Sequence, residues 1–153
     1  MKTKQAKDIM TANVKVAKEE DTIKDIANIL ITEKIGGVPV VDEDNKVVGI
    51  ISETDIMKKE KYINPPEYIT FLQGIICLDD FKKMEHDIKD IAAIKVKDLM
   101  SKEVVKVHED DTFDDVANIM IKKSVNRVPV VDKDNRIKGI ICRYDIIKSM
   151  YEN

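Results

Sequence analysis

Only two cysteines, Cys77 and Cys142, occur in the 153 residues, and their spacing matches no metal or disulfide framework. A reduced, cytoplasmic setting fits that usage better than a secreted one. The first ten residues, MKTKQAKDIM, contain no apolar stretch of the kind a secretory signal needs. Nowhere does an apolar run approach the roughly 20 residues that span a bilayer, so no membrane insertion is expected. Charge of either sign is not in excess: 26 Lys and Arg stand against 29 Asp and Glu, a net charge of -3. A general nucleic-acid binder needs a basic surplus to neutralise phosphates, and that class is excluded. Also missing are a GxxxxGK[ST] phosphate loop, a GxGxxG turn and a nucleophile with an orienting base. His86 and His108 have no convergent Cys or His neighbours in sequence, so no metal site is assembled. No catalytic residue is assigned and no cofactor is required, so the chain is not read as an enzyme. Hydrophobic residues at 43% and charged residues at 36% do suffice for one compact, folded domain.

What is present is a duplication. Residues 6–60 align without a gap on 96–150, and 25 of the 55 pairs are identical. VPVVD at 38–42 recurs at 128–132, and Gly49-Ile50-Ile51 recurs as Gly139-Ile140-Ile141. One supersecondary unit has been copied, and two such units bury their apolar faces on each other about a pseudo-twofold axis with two equivalent clefts. In each copy a threonine, Thr22 or Thr112, precedes an apolar period and is followed three residues later by Asp25 or Asp115. This is a capping box, so a helix starts there. Ile23, Ile26, Ala27 and Leu30 mark its inward face, mirrored by Phe113, Val116, Ala117 and Met120. VPVV follows as a buried strand, in which Pro39 or Pro129 implies an edge or first-residue position. Asp42 to Lys46 is a turn where Asn45 takes a left-handed conformation. Val47 to Ile51 is the next strand, and Ser52 to Lys59 opens a second helix. The fold class is α/β, each copy reading strand, helix, strand, strand, helix. The boundaries are 1–60 for the first copy, 61–95 for an inserted helical linker and 96–153 for the second.

The ordered motifs DIMT at 8–11, GGVPVVD at 36–42 and GIISETD at 49–55 return as DLMS at 98–101, NRVPVVD at 126–132 and GIICRYD at 139–145. At these residues the chain resembles the CBS motif family. The resemblance implies a pair of tandem CBS motifs, a Bateman module, that dimerises and binds an adenine nucleotide such as AMP, ADP or ATP. Some members take S-adenosylmethionine instead. It also implies regulation of a partner, here a separate effector polypeptide. The alternative is a ligand-independent interaction module with empty clefts.

Ser52 and Asp55 place a hydroxyl and a carboxylate at a helix N-terminus, where free N–H groups favour a phosphate and the carboxylate can accept ribose protons. The same residues make a capping box. In the second copy Cys142 removes the hydroxyl while Asp145 stays, which argues that the aspartate is more than a box partner. The resemblance assigns that aspartate to ribose. By the same resemblance Arg127, whose mate is Gly37, reaches across the cleft to phosphate beside Ser52 and Asp55, and Arg143 is a second candidate there. Val14 and Val104, in stretches 11–16 and 101–107 that resemble the family's base-flanking strands, would stack on adenine; plain packing explains them as well. Gly37, Pro39 and Pro129 complete the candidate nucleotide site. In the insert, Asn64-Pro65-Pro66 breaks the preceding helix, and Glu67 to Leu78 is close to apolar all round. Phe71, Ile75, Ile76 and Phe81 are therefore expected to form a self-association surface, because an apolar segment outside a complete core must be covered.

Overall fold

The computed structural model describes residues 4–60 and 93–152. The self-association surface expected at Phe71, Ile75, Ile76 and Phe81 and most of the helical linker expected at 61–95, together with His86 and Cys77, lie outside the described residues. Those residues form two tandem copies of one α/β plan. Helix α1 (Ala6–Ile9) leads into α2 (Ile23–Glu33), strands β1 (Gly37–Val41) and β2 (Val47–Ser52), and helix α3 (Glu53–Glu60). Helix α4 (Val96–Leu99) then leads into β3 (Val107–His108), α5 (Phe113–Lys123), β4 (Arg127–Val131), β5 (Ile137–Cys142) and α6 (Arg143–Tyr151).

The two long helices start where the capping boxes require. Thr22 Oγ1 accepts from the Asp25 N–H at 3.2 Å while Asp25 Oδ2 accepts from the Thr22 N–H at 3.1 Å. Thr112 and Asp115 repeat the pair. Hydrogen bonds from Thr22 hold the Asp25 carboxyl below its usual range. Each helix buries most of the stripe the periodicity marks: Ile23, Ile26 and Leu30 in α2, Val116 and Met120 in α5, with Ala27, Phe113 and Ala117 half-buried. Both helices end on a left-handed residue, Lys34 (φ 54) and Ser124 (φ 52), although neither is glycine. Asn45 (φ 63) and Asn135 (φ 64) take the left-handed position of the hairpin turns.

Two expectations about strands need correction. The first strand of each copy is minimal: a single parallel bridge from Ala17 to Val40 in copy one, and the two residues of β3 in copy two. Residues 11–16 form no strand; Thr11 bridges Ile140, and the Val14 N–H turns back to the Ala12 carbonyl at 3.1 Å. Neither proline is the first residue of its strand, and Pro129 does not mark an edge either. Pro129 is the third residue of β4, the central strand of a sheet ordered β3-β4-β5. The bonds of copy one explain why this is tolerated. Ala17 donates to the Pro39 carbonyl at 2.9 Å and accepts from the Val41 N–H at 2.9 Å, so the proline nitrogen points to the short parallel strand, just before its ladder begins. No sheet hydrogen bond is lost.

Compaction does not follow the repeat boundaries. One unit takes residues 4–18, 38–50 and 101–152; the other takes 19–37, 51–60 and 93–100. The reason is an exchange of leading segments. In the first unit Ala6 N–H donates to Asp111 O (2.8 Å), Lys7 N–H to Glu109 O (3.1 Å), and Phe113 N–H to Lys4 O (2.9 Å). The second repeats these bonds with the copies interchanged: Val96 to Asp21 (2.8 Å), Lys97 to Glu19 (3.1 Å) and Ile23 to Ile94 (2.9 Å). Ion pairs Lys7–Asp110 and Lys97–Glu20 follow the same exchange. Each unit thus obeys one bonding plan with the roles of the copies swapped, as a duplication leads one to expect.

The core of the first unit gathers Ala6, Val107, Val116, Met120, Val128, Val130 and Ile141, with Met10 packed against it. Met10 lies so close to Gly139 that any side chain there would collide with it. Among the described residues no polar or charged side chain is buried.

Candidate functional site

Each copy turns from its last strand straight into a helix, and the turn is held by the aspartate three residues on. At α3 the Ser52 N–H donates to Asp55 Oδ2 at 2.9 Å and the Ser52 hydroxyl donates to the same oxygen at 3.1 Å. The Glu53 N–H donates to the Gly36 carbonyl at 2.9 Å, which draws the Gly36-Gly37 turn onto the helix start. At α6 the Cys142 N–H donates to Asp145 Oδ2 at 2.7 Å, and the Arg143 N–H donates to the Asn126 carbonyl at 3.1 Å. In both caps these contacts use Oδ2, and the second carboxylate oxygen takes no part in them. The first-turn N–H groups beyond the cap add positive potential at each helix start.

The structure sorts the candidate residues into two groups. Ser52, Asp55 and Gly37 stand together at the start of α3. Arg127, Cys142, Arg143 and Asp145 stand together at the start of α6, because Arg127 pairs directly with Cys142 across β4 and β5. Arg127 belongs to the first compact unit, whereas Ser52 and Asp55 belong to the second. The pairing brings the Arg127 charge close to the Cys142 thiol. Burial raises the thiol's pKa above its ordinary value, the Asp145 charge adds to that, and Arg127 pulls it back. The thiol therefore stays protonated at neutral pH, a poor nucleophile.

Asp145 need do no more than cap, although its persistence beside Cys142 suggests a further role in the sequence. Losing the hydroxyl at position 142 leaves the backbone half of the box in place, so capping alone accounts for both aspartates. Val104 packs on a cluster of Val41, Val47 and Val131. Val14 is half-buried, and Pro39 and Pro129 are buried in their strands. Sequence reasoning missed the carbonyls of Gly36 and Asn126, which tether the helix starts through backbone groups and leave no mark on residue type. It also missed the exposed apolar positions Ile31 and Ile121, 75% and 76% exposed. Their shared place outside the buried stripe was the available signal. Among the described residues no cluster of His, Cys, Asp and Glu could hold a metal ion, and no helix is long and apolar enough to cross a membrane.

Two copies of one strand-to-helix turn, each closed by an aspartate, define the CBS class, and the chain belongs to the CBS domain family: the family pattern matches residues 6–62 and 96–152. Protein MJ1426 of Methanocaldococcus jannaschii is 34% identical over 154 residues, covering 94% of this chain and 89% of that one. Among solved structures, the CBS domain pair of protein MJ0100 in complex with 5′-methylthioadenosine and S-adenosyl-L-methionine is similar. It has a TM-score of 0.74 at 28% identity, over 97% of each chain. CBSX2 in complex with AMP has a TM-score of 0.72 at 24% identity, over 95% of each chain, which shows the shared fold.

Proposed function

We propose that this chain is a non-catalytic regulatory module, acting as a homodimer, that binds an adenosine-bearing ligand at its aspartate-closed helix starts. Occupancy is then passed to a separate effector. The observation that carries this reading is the pair of carboxylates, Asp55 and Asp145, each fixed by a backbone N–H at a helix N-terminus. Such a carboxylate can accept both ribose hydroxyl protons while the helix start favours a phosphate or other anion. Similarity to a CBS pair in complex with two adenosyl ligands supports that ligand class. Within it we favour the nucleotides AMP, ADP and ATP, because Arg127 and Arg143 offer guanidinium groups suited to phosphate. Ser52 and Gly37 would assist at the Asp55 helix start. The scarcity of cysteine favours the cytoplasm as its compartment.

A panel of AMP, ADP, ATP, adenosine, 5′-methylthioadenosine and S-adenosylmethionine in a thermal-shift assay tests the reading. A ligand that prefers the folded state must raise the melting temperature. Asp55→Ala and Asp145→Ala should then each weaken binding by about 1.5–3 kcal/mol, the range for hydrogen bonds to a charged group. If no adenosyl compound stabilises the protein, the ligand-independent interaction module takes its place. That second reading draws on the finding that capping alone explains both aspartates.

A further inference from the structure

The leading segment of copy one lies along β5, and one methionine wedges it there. The Thr11 N–H donates to the Ile140 carbonyl at 2.9 Å, and the Ile140 N–H donates to the Thr11 carbonyl at 3.0 Å. Next to that joint Met10 fills the space that Gly139 leaves empty. A Cβ at Gly139 would lie 2.8 Å from Met10 Cγ and closer still to the sulfur. Beyond Gly139, β5 runs on to Cys142 and the helix start closed by Asp145. Met10 is half-buried, whereas its mate Met100 is 8% exposed and Met120, in the core Met10 packs on, is 5% exposed. Met57 and Met150 stand on open helix faces, 65% and 60% exposed. Among the described residues, Met10 thus sets a reachable sulfur directly against a strand backbone.

We propose that Met10 is an oxidation-sensitive latch: hydrogen peroxide converts its thioether to the sulfoxide, and the leading segment then releases β5. In that step the peroxide O–O bond breaks and one oxygen bonds to the sulfur lone pair. The other oxygen leaves as water with both protons, so sulfur is oxidised as peroxide is reduced. The new oxygen is a strong acceptor on an atom with no room beside Gly139. No donor meets it there: the N–H groups of Thr11 and Ile140 already serve each other's carbonyls. Nor is any polar side chain buried among the described residues. An unsatisfied polar group in a close-packed site is costly, so the sulfoxide turns outward and takes Thr11 with it. The arm of copy two, its Met100 covered, stays in place. Sulfoxides are reduced enzymatically, which makes the latch reversible. This redox response is independent of the ligand reading above.

Peroxide treatment of the full chain, with peptide mass spectrometry to place each sulfoxide, tests this. Met57 and Met150 should convert first, Met10 next, and Met100 and Met120 only on unfolding. Conversion of Met10 should lower the melting temperature by about 5 °C. Hydrogen exchange at the Thr11 and Ile140 amides should quicken about ten-fold, and methionine sulfoxide reductase should reverse both changes. Met10→Leu, close in volume and without sulfur, should keep both values through the same treatment. Met10→Gln, a polar chain of similar length, should show both changes with no oxidant. The latch is overturned if Met10 carries the sulfoxide and neither value moves, or if Met100 or Met120 converts before Met10. Treated Met10→Leu falling as far as wild type overturns it too, by placing the effect on another sulfur.

Discussion

At the start of α3 the Ser52 N–H and hydroxyl both donate to Asp55; at the start of α6 only the Cys142 N–H does so, and Cys142 is paired across the strands with Arg127. The adjoining turns differ in the same sense, Gly36-Gly37 in one copy and Asn126-Arg127 in the other, yet both tether the next helix through a backbone carbonyl. The copies thus share backbone bonding and diverge in side-chain chemistry around it. Two helix starts of one geometry are thereby given different charge, a neutral and acidic surround at Asp55 and a cationic one at Asp145. The shared aspartates carry the proposed ribose contact, and the residues that differ around them set the charge each helix start offers a ligand.

The largest effect should come from testing that agreement. Ile51 and Ile141 are mates with no solvent exposure. Replacing either by Ala removes buried methylenes and leaves a cavity, at a cost of about 2–5 kcal/mol. Urea unfolding should give the two variants losses within about 1 kcal/mol of each other. A loss at Ile141 more than twice that at Ile51 would break the equivalence and make the second copy the structural anchor.

The next effect probes the difference. Arg127 has Gly37 as its mate, so only one of these positions brings a cation. Arg127→Ala should cost AMP about 1.5–3 kcal/mol of binding, as expected for a charge-assisted contact, and adenosine much less. Titration calorimetry with both ligands decides. Equal losses would mean that Arg127 acts through packing on Cys142, and that the phosphate is met elsewhere.

Much of this was legible in the chain itself. The 90-residue repeat, the Thr22–Asp25 and Thr112–Asp115 boxes, and Asn45 at the turn all declare themselves because one residue type solves one local problem. The left-handed ends at Lys34 and Ser124 did not, since neither residue is the glycine such a position usually attracts. The prolines misled for a related reason. A missing N–H marks an edge only if the neighbouring strand is long enough to need it, and here the neighbour is one or two residues. The exchange of leading segments was invisible because backbone-to-backbone bonds such as Ala6 to Asp111 depend on no side chain. At the candidate site, residue types were readable but their grouping was not. That Arg127 stands beside Cys142 follows from strand register, which only the three-dimensional pairing fixes.

The smallest effect makes the comparison sharpest, because it changes one atom. Cys142→Ser gives the second cap the hydroxyl of the first. Ser52 shows what that hydroxyl does: it donates to the aspartate at 3.1 Å, alongside the backbone N–H. A thiol is a weak donor and acceptor, so the present cap lacks most of that bond. The thiol is also partly buried, which penalises any added polarity unless it is satisfied, and Asp145 Oδ2 already sits 2.7 Å from the Cys142 nitrogen to satisfy it. Cys142→Ser should therefore stabilise the protein by about 0.5–1 kcal/mol, the lower part of the range for an N-cap hydroxyl. Ser52→Cys should lose a similar amount. Paired urea titrations measure both. A destabilising Cys142→Ser would show that contact between Arg127 and sulfur outweighs the missing hydroxyl, and that the second cap is built around its thiol.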